Sequence, residues 1–166
     1  GQQLQEKSFN YLCEAELEQV SWQLARHSRN VAGFIERLQE YSSYFDYIRA
    51  LNGNIVRTKA CQKLFTNGLG ALLFVALPPS GLKSITLAQK HRQLMDEWFR
   101  RVKSSGLNIQ VRCGFGWKQT VARVYESSQL NQVDSPSYLR ISVGLEPVEI
   151  IGYLAKELGC AALSIS

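Results

Sequence analysis

One apolar run, Ala71-Leu72-Leu73-Phe74-Val75-Ala76-Leu77, stops abruptly at Pro78-Pro79. A strand that is covered on both faces has this composition, and proline ends such a strand because it has no backbone N–H to donate to a neighbour. We therefore predict a central β-strand at residues 71–77, with the other elements arranged around it.

Four further segments have strand character. Residues 44–51 are rich in aromatic and β-branched side chains and end at a turn sequence, Asn52-Gly53-Asn54. Apolar and polar residues alternate in the other three, which are 107–113, 120–125 and 138–143. In the last of these, alternation sends Leu139 and Ile141 into the core and places Arg140 on the opposite face.

Three amphipathic helices accompany the strands. The first spans 12–40 without proline, and its apolar stripe consists of Leu17, Val20, Leu24, Val31, Phe34, Ile35 and Leu38. The second begins at a cap on Ser84 or Thr86, ends before Gly106, and buries Leu87, His91, Leu94, Met95, Trp98 and Val102. The third is bracketed by Pro147 and Gly159, and its inward residues are Val148, Ile151, Leu154 and Leu158.

Together these elements predict an α+β fold: a mostly antiparallel sheet of about four to five strands with helices packed on one face, plus the long N-terminal helix. Because that helix is longer than most, we expect it to pack along another element or subunit. We divide the chain into a long helical arm, 1–41, and a small C-terminal α/β domain, 42–166.

The composition limits the classes of function. With 166 residues, 45% of them hydrophobic, the chain has the size of one domain with a packed core. The net charge of +5 comes from 19 basic residues scattered among 14 acidic ones, so we expect no nucleic-acid partner. No apolar run has the roughly 18 residues of a membrane span, and the polar start is unlike a signal peptide, so we expect no membrane partner.

The residues that usually carry chemistry are sparse. Cys13, Cys61, Cys113 and Cys160 are far apart and fit no metal site, and such cysteines are typical of a reduced, cytoplasmic protein. His27 is expected to be structural or exposed, His91 to lie on a buried stripe, and Cys113 to be a core residue. Gly114-Phe115-Gly116 lies between strands and lacks the third glycine of a dinucleotide fingerprint.

A segment near the C-terminus, Tyr138-Leu139-Arg140-Ile141-Ser142-Val143-Gly144-Leu145-Glu146 followed by a short helix, resembles the terminal signature of the Cys/Met-metabolism family of pyridoxal-phosphate enzymes, such as cystathionine γ-synthase and β-lyase. Leu24-Ala25-Arg26-His27-Ser28-Arg29-Asn30-Val31-Ala32 is similar to the helix that leads into the small domain of these enzymes. Asn67-Gly68-Leu69-Gly70-Ala71-Leu72-Leu73 resembles the lead into that domain's central strand. The three segments occur in family order, so the resemblance covers most of the chain.

The resemblance implies a C-terminal, substrate-side domain of a lyase or transferase that performs trans-sulfuration-like elimination or replacement. In this family the arginine that matches Arg140 binds the substrate α-carboxylate, a role that suits the paired donors of a guanidinium. The strand pattern alone, without the resemblance, predicts that Arg140 is a surface arginine paired with a nearby acid.

The family's large domain, with its Schiff-base lysine and phosphate-binding loop, has no counterpart in these 166 residues. We therefore expect pyridoxal phosphate in an intact parent enzyme, no covalently bound cofactor on this chain, no catalytic residue within it, and no activity from it alone. The partners implied are a large cofactor-binding domain or a second subunit, together with an amino-acid substrate. Assembly into a homo-oligomer stays open, as does whether Gly1 is the natural start.

Gly114, Phe115 and Gly116 fall where family members often carry a Ser-aliphatic-Gly turn near the substrate, so they form a candidate pocket turn. Gly114 replaces the serine, and Trp117-Lys118-Gln119-Thr120 departs from the common segment in which Thr or Ser precedes His. These departures leave the identity of the substrate open. The glycines also fit a tight turn with positive φ and no ligand role.

Two other classes of function compete with an enzyme domain. A stand-alone, non-catalytic interaction or regulatory module with the same fold would use the long first helix to contact a partner. A nucleic-acid-binding domain is the third alternative, and it rests only on the net charge.

Overall fold

The computed structural model describes residues 14–50, 70–79, 84–107, 109–111, 118–126 and 137–166. These residues form the predicted α+β fold, in which three helices pack on one face of a five-stranded sheet. The helices are α1 (Glu14–Leu38), α2 (Ser84–Ser104) and α3 (Val148–Ile165), and a 3-10 helix, Gln39–Tyr44, follows α1. The strands are β1 (Tyr47–Ala50), β2 (Leu72–Ala76), β3 (Gln110–Val111), β4 (Val121–Tyr125) and β5 (Tyr138–Ser142).

The strand order is β1-β2-β5-β4-β3. Neighbouring strands are antiparallel except β3 and β4, which run parallel. β2 lies between β1 and β5, which confirms the internal position predicted for the apolar run. β5 lies between β2 and β4, so strands from two distant parts of the chain flank the segment that carries Arg140.

The sheet has an inner face, covered by the three helices, and an outer face on the opposite side. Leu73 of β2 and Leu139 and Ile141 of β5 point inward and are fully buried, as strand alternation predicts. Of the outward residues of β2, Leu72 and Phe74 are half-buried and Ala76 is buried. The described helices all pack on the inner side of the strand, and its complete coverage on both faces stays a prediction.

The core is built around α2. Its predicted stripe is confirmed, with Met95 half-buried and the others fully buried: Leu87, His91, Leu94, Trp98 and Val102. The ring of Trp98 meets Phe34 of α1 edge-on at a centroid distance of 6.2 Å, and its indole N–H donates to the Leu154 carbonyl of α3 at 2.9 Å. Trp98 thus joins all three helices. Gly106, past the end of α2, has a φ of +80° that favours glycine.

The two ends of α1 have different environments. Val31 and Phe34 are buried in the same core as the sheet. Val20 and Leu24, which the predicted stripe places on the same face, are 48% and 40% exposed, and Trp22 is 59% exposed. The prediction of one continuous buried stripe is therefore wrong toward the N-terminus, where this part of the helix extends beyond its described neighbours. The division of the chain at residue 41, which falls within the 3-10 helix, stays a prediction.

α3 continues to Ile165, past the end predicted at Gly159. Gly159 serves close packing, because a Cβ there would collide with the ring of Tyr41. Val148 is 53% exposed, so its predicted inward position is wrong, whereas the other three inward residues are buried as predicted.

Several predictions fall outside the described residues. These are the turn at Asn52-Gly53-Asn54, the strand at 107–113 apart from β3 and its immediate flank, Cys113, and the candidate turn Gly114, Phe115 and Gly116. Among the helices that are described, none combines the length and the apolar character needed to cross a bilayer.

Candidate functional site

The outer face presents one row of side chains across four strands. The register pairs Arg49 of β1 with Phe74 of β2, Phe74 with Arg140 of β5, and Arg140 with Arg123 of β4. Directly opposed residues on antiparallel strands have neighbouring side chains on the same face. Three arginines therefore lie in one row, with Phe74 between Arg49 and Arg140.

Arg140 is half-buried and has a defined orientation. Its Nη1 donates a hydrogen bond of 2.7 Å to the hydroxyl of Tyr125 on β4. Its Cζ lies 5.5 Å from the centre of the Tyr125 ring. The bond and the ring contact together define the orientation of the guanidinium.

Three aromatic rings stand beside Arg140, and we call them the aromatic cluster: Phe74, Tyr125 and Tyr138. Tyr125 and Tyr138 stack at a centroid distance of 5.5 Å and an interplanar angle of 10°. Tyr138 and Phe74 meet edge-on at 5.7 Å and 73°. Each such contact adds about 0.5–1.5 kcal/mol beyond simple burial, so the cluster holds its own geometry.

The charged side chains at the described outward positions of the four strands are basic. Arg123 lies with its Cζ 5.6 Å from the Tyr125 ring, and Arg49 with its Cζ 4.7 Å from the Tyr47 ring. Burial, and to a lesser extent the neighbouring Tyr138, raises the pKa of the Tyr47 phenol, which therefore stays neutral. The outward positions of β1, β2, β4 and β5 include no aspartate or glutamate.

This face suits the recognition of an anion. The charged side chains at the described outward strand positions are all arginines. In the part of the chain that the structure describes, no three His, Cys, Asp or Glu side chains are grouped as metal ligands. A carboxylate or phosphate fits a row of guanidiniums, because each offers paired donors in one plane.

A polar clamp from α1, formed by His27 and Asn30, holds the segment that follows β5. His27 Nδ1 donates to the Val143 carbonyl at 2.8 Å, and Asn30 Nδ2 donates to the carbonyls of Gly144 at 2.8 Å and Glu146 at 3.0 Å. Both clamp residues are buried. His27 is therefore structural, one of the two outcomes predicted for it, and the clamp fixes the C-terminal end of the strand that carries Arg140.

Gly144 allows the end of β5 to approach the start of β4. A Cβ at this position would lie 2.5 Å from the backbone carbon of Gln119 and 2.6 Å from the nitrogen of Thr120, too close for any side chain. The Gly144 N–H donates to Thr120 Oγ1 at 3.1 Å, and the Thr120 N–H donates to the Glu146 carboxylate. The glycine of the signature segment is thus required by packing.

We expect Asn30→Ala to lower the free energy of unfolding by about 1–3 kcal/mol, because two carbonyls would lose a buried donor. Urea denaturation measures the change. Arg29→Ala, at the exposed neighbouring position, is the control and should alter stability by less than about 0.5 kcal/mol. Equal midpoints for Asn30→Ala and the wild type would show that the clamp contributes nothing.

Among the predicted site residues, Arg140 lies on the outer face as alternation predicts, and its role as a carboxylate ligand stays a prediction. Gly114, Phe115 and Gly116 lie outside the described residues. Arg123 and Tyr125 are site residues that the sequence does not single out. Alternation at 120–125 puts both on one face, but their position beside Arg140 depends on strand register, which no local pattern shows.

No protein-family model matches the chain, and a comparison with curated proteins finds no relative.

Proposed function

We propose that this chain is the substrate-side C-terminal domain of a pyridoxal-phosphate-dependent lyase or transferase, in which Arg140 binds the α-carboxylate of an amino acid. The observation that supports the proposal is the placement of Arg140, half-buried on the outer face and oriented by Tyr125. A partly buried guanidinium attracts a carboxylate more strongly than an exposed one, because less solvent screens the two charges.

Pyridoxal phosphate, when bound in the parent enzyme, supplies an electron sink for negative charge that develops on the substrate. The outward strand positions carry three arginines and no lysine. They fit an anionic group of the substrate and offer no amine for a covalent bond to the cofactor. As the resemblance implies, we place the cofactor on a large domain outside this chain, in the same polypeptide or in a second subunit.

In the intact enzyme, the residues of this chain bind and orient the substrate. Arg140 holds one end of it, and the rings of Phe74 and Tyr138 limit the access of water to the ion pair. Holding a substrate in a reactive orientation accelerates the chemical step even when the chemistry belongs to other groups. We place the protein in the cytoplasm, where its unclustered cysteines stay reduced.

We expect Arg140→Gln to weaken the binding of acetate at least roughly tenfold, because the paired donors and the charge are both lost. The measurement is an NMR titration of the 166-residue chain with sodium acetate at low ionic strength, since salt screens the interaction. Arg49→Gln removes a charge from the same row and is the matched control. It should keep the affinity within about twofold, since Phe74 separates it from Arg140.

Two results would contradict the proposal. One is a wild-type chain in which acetate shifts no resonance of the outer face. The other is an equal loss of affinity in the Arg140 and Arg49 variants, which would mean that acetate responds only to the overall charge.

A stand-alone interaction module with the same fold is the second candidate. It is supported by Val20 and Leu24, which are 48% and 40% exposed and lie one turn apart on the same side of α1. An exposed apolar pair on one side of a helix suits contact with a partner. Acetate binding that depends on Arg140 separates the two candidates, because only the enzyme domain requires it.

A further inference from the structure

Tyr125 connects two arginines that face each other across β4 and β5. Arg123 and Arg140 are directly opposed in the register, and like charges in that arrangement repel each other. The Tyr125 ring stands beside both, with the Cζ atoms 5.6 Å and 5.5 Å from its centre. The face of an aromatic ring attracts cations, so this ring offsets part of the repulsion.

The hydroxyl of Tyr125 adds a directional contact. It accepts the 2.7 Å hydrogen bond from Arg140 Nη1, which sets the plane of the guanidinium. Carboxylate recognition depends on that plane, because the two donors have to meet two oxygens at once. An arginine side chain that is free to rotate loses entropy when it binds, whereas one that is already oriented loses less.

Tyr125 is itself held by its neighbours. Its ring stacks on Tyr138, and Tyr138 meets Phe74, which lies directly opposite Arg140 on β2. The aromatic cluster thus runs from one side of Arg140 to the other. Turning the Tyr125 ring would break the stack and the hydrogen bond together.

We infer that Tyr125 is a positioning residue of the outer-face anion site. Its hydroxyl orients Arg140 toward the ligand, and its ring lies against both Arg123 and Arg140. The inference rests on the proposed function for the identity of the ligand as a carboxylate, and it assigns Tyr125 no contact with the substrate.

The test is Tyr125→Phe, which keeps the ring and removes only the hydroxyl. Tyr138→Phe is the matched control, because it makes the same chemical change on the ring stacked against Tyr125. In the acetate titration, Tyr125→Phe should bind roughly fivefold more weakly than the wild type, and Tyr138→Phe should bind like the wild type. Thermal melts of both variants show whether the fold is retained.

A spectroscopic readout separates positioning from packing. In the wild type, the bond to Tyr125 slows rotation about the Nε–Cζ bond of Arg140, so its Nη hydrogens should give separate NMR signals. Loss of this bond should speed the rotation, so the signals should exchange faster in Tyr125→Phe than in the wild type and stay unchanged in Tyr138→Phe. The loss of the same signals in Arg140→Gln assigns them.

The outcomes distinguish this inference from the proposed function. If Tyr125→Phe binds acetate like the wild type while Arg140→Gln does not, the positioning role is overturned and the carboxylate role of Arg140 stands. If Arg140→Gln also binds like the wild type, the proposed function fails. Equal losses in Tyr125→Phe and Tyr138→Phe would point to general packing and would also overturn the inference.

Discussion

Trp98→Ala is expected to lower the free energy of unfolding by about 3–5 kcal/mol, the largest effect of a single substitution that we predict for this protein. Trp98 is the largest fully buried side chain in the described part of the chain, and it donates to the Leu154 carbonyl. Its removal would leave a cavity between the three helices and would take one of the donors from the Leu154 carbonyl. Domains are typically stable by only about 5–15 kcal/mol, so the variant should unfold at a much lower urea concentration.

Trp22→Ala is the matched control for this experiment. Trp22 is 59% exposed on α1, so its removal should change the free energy of unfolding by less than about 0.5 kcal/mol. Urea denaturation followed by circular dichroism measures both variants. Similar midpoints for the two tryptophan variants would contradict the placement of Trp98 at the centre of the core.

Acid is expected to destabilise the protein through His91, by an amount on the order of 3 kcal/mol. His91 on α2 is fully buried, and its Nε2 accepts the Leu77 N–H at 2.9 Å. Its Nδ1 lies 2.9 Å from both the Leu87 carbonyl and the Ser137 hydroxyl. Burial lowers the pKa of His91 from 6.5 to about 4, against the opposite effect of the bond to Leu87. Protonation would place a hydrogen where Leu77 needs an acceptor.

The direction of the pH dependence follows from this lowered pKa. Above pH 6.5 the ring is neutral in the folded and the unfolded chain, and its contribution to stability is fully present. As the pH falls toward about 4, the unfolded chain binds a proton that the folded chain excludes, so stability is lost. His91→Gln keeps an acceptor and does not titrate, so its stability should fall less between about pH 7 and about pH 4.5. Parallel curves for the variant and the wild type would contradict this role of His91.

Local patterns predict the elements that bury one continuous face. The alternation at 138–143 predicts inward Leu139 and Ile141 and an outward Arg140, because successive side chains of a strand point to opposite faces. The stripe of α2 is confirmed for the same kind of reason. A helical period sustained over 21 residues leaves little ambiguity about which face is buried.

Packing between distant segments explains where the predictions are wrong. The sequence predicts that the last helix ends at Gly159. In the structure the Tyr41 ring fills the space beside this glycine, and α3 continues to Ile165. Tyr41 is distant from Gly159 in sequence, so no pattern within the segment reveals this contact.

The candidate site shows the same limit. Only Arg140 is predicted from the sequence, through alternation and through the resemblance. Arg123 and Tyr125 join it because β4 pairs with β5 in one register, and a shift by one residue would send both to the other face. The order and register of the strands therefore determine which residues lie together at the site.

The central claim is that this chain is the small domain of a larger pyridoxal-phosphate enzyme. The most direct test is to immunoprecipitate the native protein from its source cells with antibodies against this chain, and to measure its mass and its content of released pyridoxal phosphate. We expect a protein of more than roughly twice the 18.7 kDa of this chain, carrying about one cofactor per chain. A protein of 18.7 kDa without the cofactor would contradict the claim and favour the stand-alone interaction module.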